Sequence, residues 1–467
     1  MPGPAGGESA RAGEQARVRL RDVIVPLCVI IALGLALRLI IAYVLLPGSG
    51  FGVDRRSFDA WATALAARGP FGFYDQPDYF VDYTPGYLYV LWLLGLVSGA
   101  LGGPGTAPGD LMKLPAILAD AGLAITVCAL AAELGASRRA ALGGAALLIL
   151  NPVTWFDSAI WSQVDSVGTL VLLLAVRELC HGRSERATIL TTIAAVIKPQ
   201  FGILIPIAAV VILRRHLRDR WEPGRVLLVV LVGLATATLV CAPFGLTIVG
   251  LLERIVRTAG GYPYLTVNAY NPWALATLDG SGLVAGGTWI QDIATDKGME
   301  FFSVLGVPAL FVGTGLLVGV IALLGLAAWR RDDPEALLVV LAVMAVAFFV
   351  VPTRVHERYL YPFFALGAVL AAVRPRRWLL PYGVLAVANL ANLYGILAIR
   401  MEDFYGVGID PLLNAFGGAG ERLAEGIRSP VGVTATAVAH AVGLLLAGLP
   451  LARGREAAPE RLEEPGG

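Results

Sequence analysis

Long apolar runs separated by short polar stretches dominate the chain, and the polar residues gather at the run ends rather than alternating within them. Runs of about 17–25 apolar residues have the length that crosses a bilayer as a helix. In hydrocarbon a helix satisfies its own backbone groups, so helices are the economical form for such runs. On this criterion the sequence predicts spans at 23–46, 112–134, 138–152, 164–179, 187–199, 201–213, 225–243, 303–329, 335–352, 359–373, 378–398 and 430–452. The expected fold is all-α, a polytopic membrane protein of about 12–13 transmembrane helices.

Charge adds an orientation. Arg17/Arg19/Arg21, Arg138/Arg139, Arg183/Arg186, Arg214/Arg215/Arg218/Arg220, Arg330/Arg331, Arg374/Arg376/Arg377 and Arg453/Arg455 fall on one side of these twelve spans, which marks that side as cytoplasmic. Segment 85–101 is apolar enough to cross, but counting it would place Arg138 and Arg139 outside. A bent, re-entrant or surface-lying helix is expected there, or an uncounted span elsewhere. The expected organisation is a basic, disordered cytoplasmic stretch at 1–22, a transmembrane domain at 23–452 and a disordered cytoplasmic tail at 453–467. The apolar run after residue 22 is long and no cleavage signal precedes it, so a retained span is expected rather than a signal peptide. Two long external loops, 47–84 and 244–302, interrupt the domain, the first carrying short surface helices.

Composition agrees: 57% of residues are hydrophobic and 15% charged, with mean hydropathy +0.72. A net charge of +1 gives no reason to expect a nucleic-acid partner. Cys28, Cys128, Cys180 and Cys241 form no CxxC pair, which suggests neither a disulfide framework nor a zinc site. There is no Walker loop, dinucleotide glycine fingerprint or serine nucleophile elbow.

Five polar motifs collect on the non-cytoplasmic side. The first loop holds Asp54, Asp59, Asp75, Asp78 and Asp82. Asp54, ahead of a short helix reaching about Arg68, is either a general base held at the membrane surface or a solvated acid capping that helix. Asp82-Tyr83-Thr84-Pro85 either caps a following helix or faces a cleft. Asn151-Pro152 leads through Trp155, Asp157 and Trp161 to Gln163 and Asp165 at the start of a span; the tryptophans suit an interface, and the two polar side chains are expected to line a cavity. Lys198-Pro199-Gln200 divides two half-length helices, where the lysine either snorkels to headgroups or binds phosphate. Arg354-Val355-His356-Glu357-Arg358 places two arginines and a histidine outside, against the topological trend, and guanidinium forks suit phosphate. Asn268, Tyr270, Asn271 and Trp273 are equally consistent with carbohydrate contact and with loop packing.

In this order the motifs resemble the GT-C superfamily of membrane glycosyltransferases, over about residues 25–400. The likeness is nearest to the dolichyl-phosphate-glucose-dependent glucosyltransferases and their bacterial polyprenyl-phosphate-sugar-dependent relatives. Asp82-Tyr83-Thr84-Pro85 is similar to an Asp-Tyr-Pro-Pro element, Lys198-Pro199-Gln200 to a Lys-Gln element, and Val355-His356-Glu357-Arg358 to Val-His-Glu-Lys. Lys113-Leu114-Pro115 through Asp120 resembles a segment ending in a span-embedded aspartate. Where the eukaryotic enzymes carry His-Gly-His-Phe-Gln-Tyr-Asn, this chain has Trp161 and Asp165 and no histidines.

The resemblance implies an inverting transfer of a hexose, of mannose or glucose type, from a polyprenyl-phosphate carrier. The acceptor would be a lipid-linked or cell-envelope glycan at the outer face of the cytoplasmic membrane. It makes Asp54 the catalytic base. Asp82, Tyr83, Trp161, Gln163, Asp165, Lys198, Gln200, Arg354, His356, Glu357 and Arg358 become the substrate-binding set. No cofactor and no obligatory metal are implied, although five loop acids leave a metal open; membrane lipid is the other expected partner. A non-catalytic transporter or flippase of a lipid-linked sugar explains the half-helices and outer cations equally well, but not the acids grouped with them.

Overall fold

The computed structural model describes residues 20–76, 81–276, 289–295, 298–331, 333–398 and 410–452. The first apolar run forms α1 (Leu20–Ile40), closed by a wider π turn over Ile41–Leu45. Then come α2 (Gly52–Arg68), α3 (Pro85–Gly102), α4 (Lys113–Glu133) and α5 (Arg138–Ile149). Next are α6 (Pro152–Trp155, continued as a π turn through Trp161), α7 (Asp165–Cys180) and α8 (Ser184–Ile197). They are followed by α9 (Leu204–Leu213), α10 (Pro223–Cys241) and α11 (Ile248–Gly260). A two-residue antiparallel hairpin, Ser303–Val304 against Val307–Pro308, precedes α12 (Ala309–Arg330). Finally α13 (Pro334–Val350), α14 (Tyr361–Val373), α15 (Pro375–Leu397), α16 (Asp410–Arg428) and α17 (Pro430–Ala452) complete an all-α polytopic membrane protein.

Among the described residues eight helices are long and apolar enough to cross a membrane, or nine if the pair Arg138–Ile149 and Pro152–Trp161, bent by 42°, is one span. Pro334–Val350 and Tyr361–Val373 are shorter apolar helices. Three expectations need correction. The span expected at 138–152 does not end there: the chain bends at Pro152, which lacks the N–H a straight helix needs, and runs on to Trp161. The span expected at 303–329 begins only at Ala309, its first residues forming the hairpin. The loop expected at 399–429 contains α16, kinked at Gly417, where φ is +53°. Of the alternatives for segment 85–101, the structure leaves the surface-lying one: it is one unbroken helix, α3, neither bent nor re-entrant.

The partners of α3 decide where it lies. In its first turn Gly86 packs on the outer end of α8 so closely that a Cβ would sit 2.6 Å from Val196 O and Ile197 N. Just past its other end, Gly109 N donates to Asp59 Oδ1 (2.9 Å), and Asp110 Oδ2 accepts from Gly48 N (2.8 Å) where the chain leaves α1. Both ends therefore belong to the same face of the bundle. A helix of this length spans about 27 Å, so α3 lies along that face. Its exposed Leu93, Leu96, Val97 and Leu101 turn toward lipid, while α2 packs on its inner side.

The opposite end of the bundle carries the ion pairs Arg177–Glu133, Arg225–Glu185 and Arg374–Glu335, the last from a basic cluster. Midway, Arg38 is fully buried in α1 and donates to Asp120 Oδ2 (2.6 Å), Thr154 Oγ1 (3.0 Å) and Ile149 O (2.6 Å). Asp120 Oδ1 also accepts from Ser166 Oγ and Tyr361 Oη, so one carboxylate ties α1, α4, α7 and α14 together. This is the span-embedded aspartate of the sequence motif, and its role here is to fix helix positions below the outer cleft.

Candidate active site

At the end of the bundle opposite its basic clusters, α2, the Asp82–Tyr83 turn, the break between α8 and α9, the inner side of α11 and the 352–359 loop enclose a cleft of about 450 Å³. Of the residues singled out from sequence, Asp54, Asp82, Tyr83, Lys198, Gln200, Arg354, His356 and Arg358 line it. Trp161, Gln163, Asp165 and Glu357 do not; they stand behind the wall and hold the residues that do.

Asp54 sits in the first turn of α2, where the helix dipole favours a carboxylate. It is no cap, since Phe51 occupies that position. Gln163 Nε2 donates to Asp54 Oδ2 (2.5 Å), and Arg358 Nη2 lies 3.6 Å from the same oxygen. The side chain stays 28% exposed, so a ligand in the cleft can reach it. Burial raises the Asp54 carboxyl above its ordinary value; Arg358 and Lys198 oppose the rise, and Asp165 adds to it.

The π turn over Phe156–Trp161 ends at Ser162 in the left-handed region (φ 65°), which swings Gln163 out of the helix toward Asp54. Asp165, fully buried at the start of α7, accepts from Gln200 Nε2 (2.7 Å) and faces Arg358 Nε (3.7 Å) and Lys198 Nζ (3.9 Å). The expectation that Gln163 and Asp165 line the cavity is therefore replaced by one in which they stand behind its wall, in contact with Asp54, Arg358 and Lys198. Trp161, wholly buried, lies under the Arg358 guanidinium (5.1 Å to the ring centre) and stacks on Phe51. Glu357 receives Arg358 Nη1 at 2.6 Å. These contacts hold the Arg358 guanidinium in the cleft wall.

Pro199 ends α8, and the extended Lys198 backbone sends Nζ between the rings of Tyr83 (5.4 Å) and Tyr359 (5.8 Å). Among the described residues its buried ammonium makes no hydrogen bond, with Asp165 as its counter-charge at 3.9 Å.

Arg354, by contrast, is committed. Nε and Nη2 grip Asp292 (2.8 and 3.0 Å) and Nη1 donates to Ala259 O. Its expected part in phosphate binding gives way to fastening the second external loop. That loop pairs with the cleft wall through Val267 N to Val355 O (2.8 Å), which sets the backbone of His356. Burial, then Arg358 and Lys198, hold the His356 imidazole well below its usual value, hence neutral. The Asn268–Trp273 patch packs the loop: Asn271 Nδ2 donates to Phe349 O and Trp273 Nε1 to Val351 O.

Of the five loop acids, Asp54 and Asp82 reach the cleft, Asp59 is spent on Gly109, and Asp78 lies outside the described residues. Asp82 does not cap α3; Thr84 holds the cap position without a side-chain bond, and Asp82 Oδ2 instead accepts from Tyr262 Oη (3.1 Å). No motif points to Tyr262, and only its place in an aromatic-rich outer loop would have singled it out.

The fold and site define a polytopic membrane protein with two carboxylates, Asp54 and Asp82, and several cations facing a common cleft at the end of the bundle opposite its basic clusters. No family model and no curated protein matches the sequence. Among solved structures the chain is similar to ArnT from Cupriavidus metallidurans bound to undecaprenyl phosphate (16% identity, TM-score 0.45, covering 90% of this chain and 77% of that one). It is similar to the same protein's apo state (17%, 0.42, 89% and 76%) and to the apo oligosaccharyltransferase of Archaeoglobus fulgidus (13%, 0.43, 90% and 56%).

Proposed function

We propose that the protein is an inverting, GT-C-type glycosyltransferase taking a hexose from a polyprenyl-phosphate carrier. It would pass the sugar to a lipid-linked or cell-envelope glycan at the non-cytoplasmic face of the cell membrane. The observation that carries this reading is the buried ammonium of Lys198 in the wall of the cleft that Asp54 enters, which faces Asp165 at 3.9 Å and makes no hydrogen bond among the described residues. A buried cation with unmet hydrogen-bond donors is costly unless an anion supplies acceptors, and a phosphodiester-linked lipid supplies them. The motif resemblance supports the same assignment.

In the proposed step, an acceptor hydroxyl oxygen attacks the anomeric carbon and its proton passes to Asp54. The bond from that carbon to the phosphate oxygen breaks, and polyprenyl phosphate leaves with the electron pair. Lys198 and Arg358 face the charge that develops on the leaving oxygen, and neutral His356 offers one N–H. Gln163 keeps Asp54 aimed, occupying one carboxylate oxygen. The apolar part of the wall, Ile255, Leu310 and Phe348, suits the first isoprene units.

The test is sugar transfer in liposomes over a panel of polyprenyl-phosphate donors, followed against pH. Asp54 acts deprotonated and its carboxyl is raised above 3.8, so turnover should be lost as pH falls through that raised value. Because Arg358 opposes the rise, residual turnover of Arg358→Gln should show the same limb displaced to higher pH. A limb at or below the ordinary carboxylate value, or one unmoved in Arg358→Gln, contradicts the role given to Asp54. Lipid-linked sugar crossing the bilayer without transfer would favour the carrier instead.

A further inference from the structure

Resting on that reading, one part of the cleft speaks to which sugars it accepts. Asp82 and Tyr262 come from different external loops and meet in the cleft wall, with Tyr262 Oη donating to Asp82 Oδ2 at 3.1 Å. An ionised carboxylate has about four acceptor positions. One is taken by Tyr262 and one by the Asp82 backbone N–H, which leaves acceptor positions on a partly open side chain within the cleft. Arg358 is paired with Glu357 and Asp165, and Arg354 with Asp292, while the third cleft cation, Lys198, faces Asp165. Among the described residues Asp82 forms no ion pair of its own, and Lys198 acts on it only at longer range. The Tyr262 ring stands edge-on to His356 (centroids 5.3 Å apart, planes at 78°), fixing the phenol beside the proposed phosphate-binding group. Trp61 lines the same cleft and packs against Tyr83.

A carboxylate with spare acceptor positions beside a phenol and an indole ring matches a polyhydroxylated ring, which offers O–H donors and an apolar C–H face. It opposes a second carboxylate, because Asp54 and Asp82 already share the cleft. We propose that Asp82 and Tyr262 form the subsite for hydroxyl groups of the transferred sugar, selecting a neutral glycosyl group over a uronic acid, with Tyr262 as a specificity-determining residue.

Binding rather than turnover tests this, so the outcome does not depend on the transfer reaction. The purified protein in nanodiscs would be titrated with three probes: bare polyprenyl phosphate, the same lipid carrying a neutral hexose, and the same lipid carrying a uronic acid. Wild type should bind the hexosyl lipid at least tenfold more tightly than the bare lipid, and the uronosyl lipid no more tightly. Tyr262→Phe and Asp82→Asn should lose most of that tenfold gain while binding bare lipid within about twofold of wild type. Tyr262→Phe, which removes only one hydroxyl, guards against misfolding, with unfolding temperature as the check. Equal weakening toward bare and hexosyl lipid would overturn the proposal and make the pair part of the phosphate pocket. So would an unchanged preference in both variants, or a wild type that does not distinguish the three lipids. If the hexosyl preference is present but no donor is turned over, the subsite stands and the transferase reading falls.

Discussion

Asp54→Asn should lower turnover by about 10²–10⁴-fold, the usual contribution of a positioned general base, with donor affinity within a few-fold of wild type. The substitution is isosteric and keeps an oxygen for Gln163 Nε2, so α2 and the cleft wall should stay in place. What is lost is proton acceptance, together with the negative charge facing Arg358. Single-turnover transfer measured beside donor binding separates these effects: a fall in the chemical step alone fits the base. Full activity in Asp54→Asn would remove Asp54 from the mechanism. Asp82 is then the remaining cleft acid among the described residues of the first loop, because Asp59 is held by Gly109 N.

The second large effect is structural. Asp120→Ala should destabilise the protein by about 3–5 kcal/mol, the cost of leaving a buried charge without its partner. Arg38 is fully buried, and its remaining bonds run to Ser158, Thr154 and two backbone carbonyls, none of which carries charge. Ser166 and Tyr361 lose the same acceptor, though they retain each other at 2.7 Å. The measurement is the unfolding midpoint in one fixed lipid or detergent. Replacing both members, Arg38→Met with Asp120→Leu, should recover a large part of the single variant's loss. Asp120→Ala as stable as wild type would mean that Arg38 needs no counter-charge.

Much of this architecture is legible because bilayer thickness makes apolar length a strong signal. Runs around α1, α4, α10, α15 and α17 need no further clue. The continuation past Pro152 is hard to read for a physical reason: Thr154, Asp157 and Ser158 make 152–161 look like a boundary, whereas all three are buried in the bundle, Thr154 and Ser158 against Arg38. Arg38, a lone arginine near the end of the first span, is the sequence signal for it, since an intramembrane charge normally implies a partner. At the site, residue types announced the cleft but not the division of labour within it. Arg354 and Arg358 look alike in sequence, yet Asp292, 62 residues upstream in an irregular loop, captures the first. Long-range pairings such as Asp82 with Tyr262 leave no periodicity or spacing to read.

The central claim is that a sugar moves from a lipid phosphate by direct displacement in the outer cleft. The anomeric configuration of the product tests it most directly. Purified protein would be given a donor of defined anomer, the product anomer read by NMR, and released polyprenyl phosphate counted against sugar transferred. The account predicts the opposite anomer and one lipid phosphate released for each sugar. Retention of configuration, or transfer without release of the lipid phosphate, would contradict it.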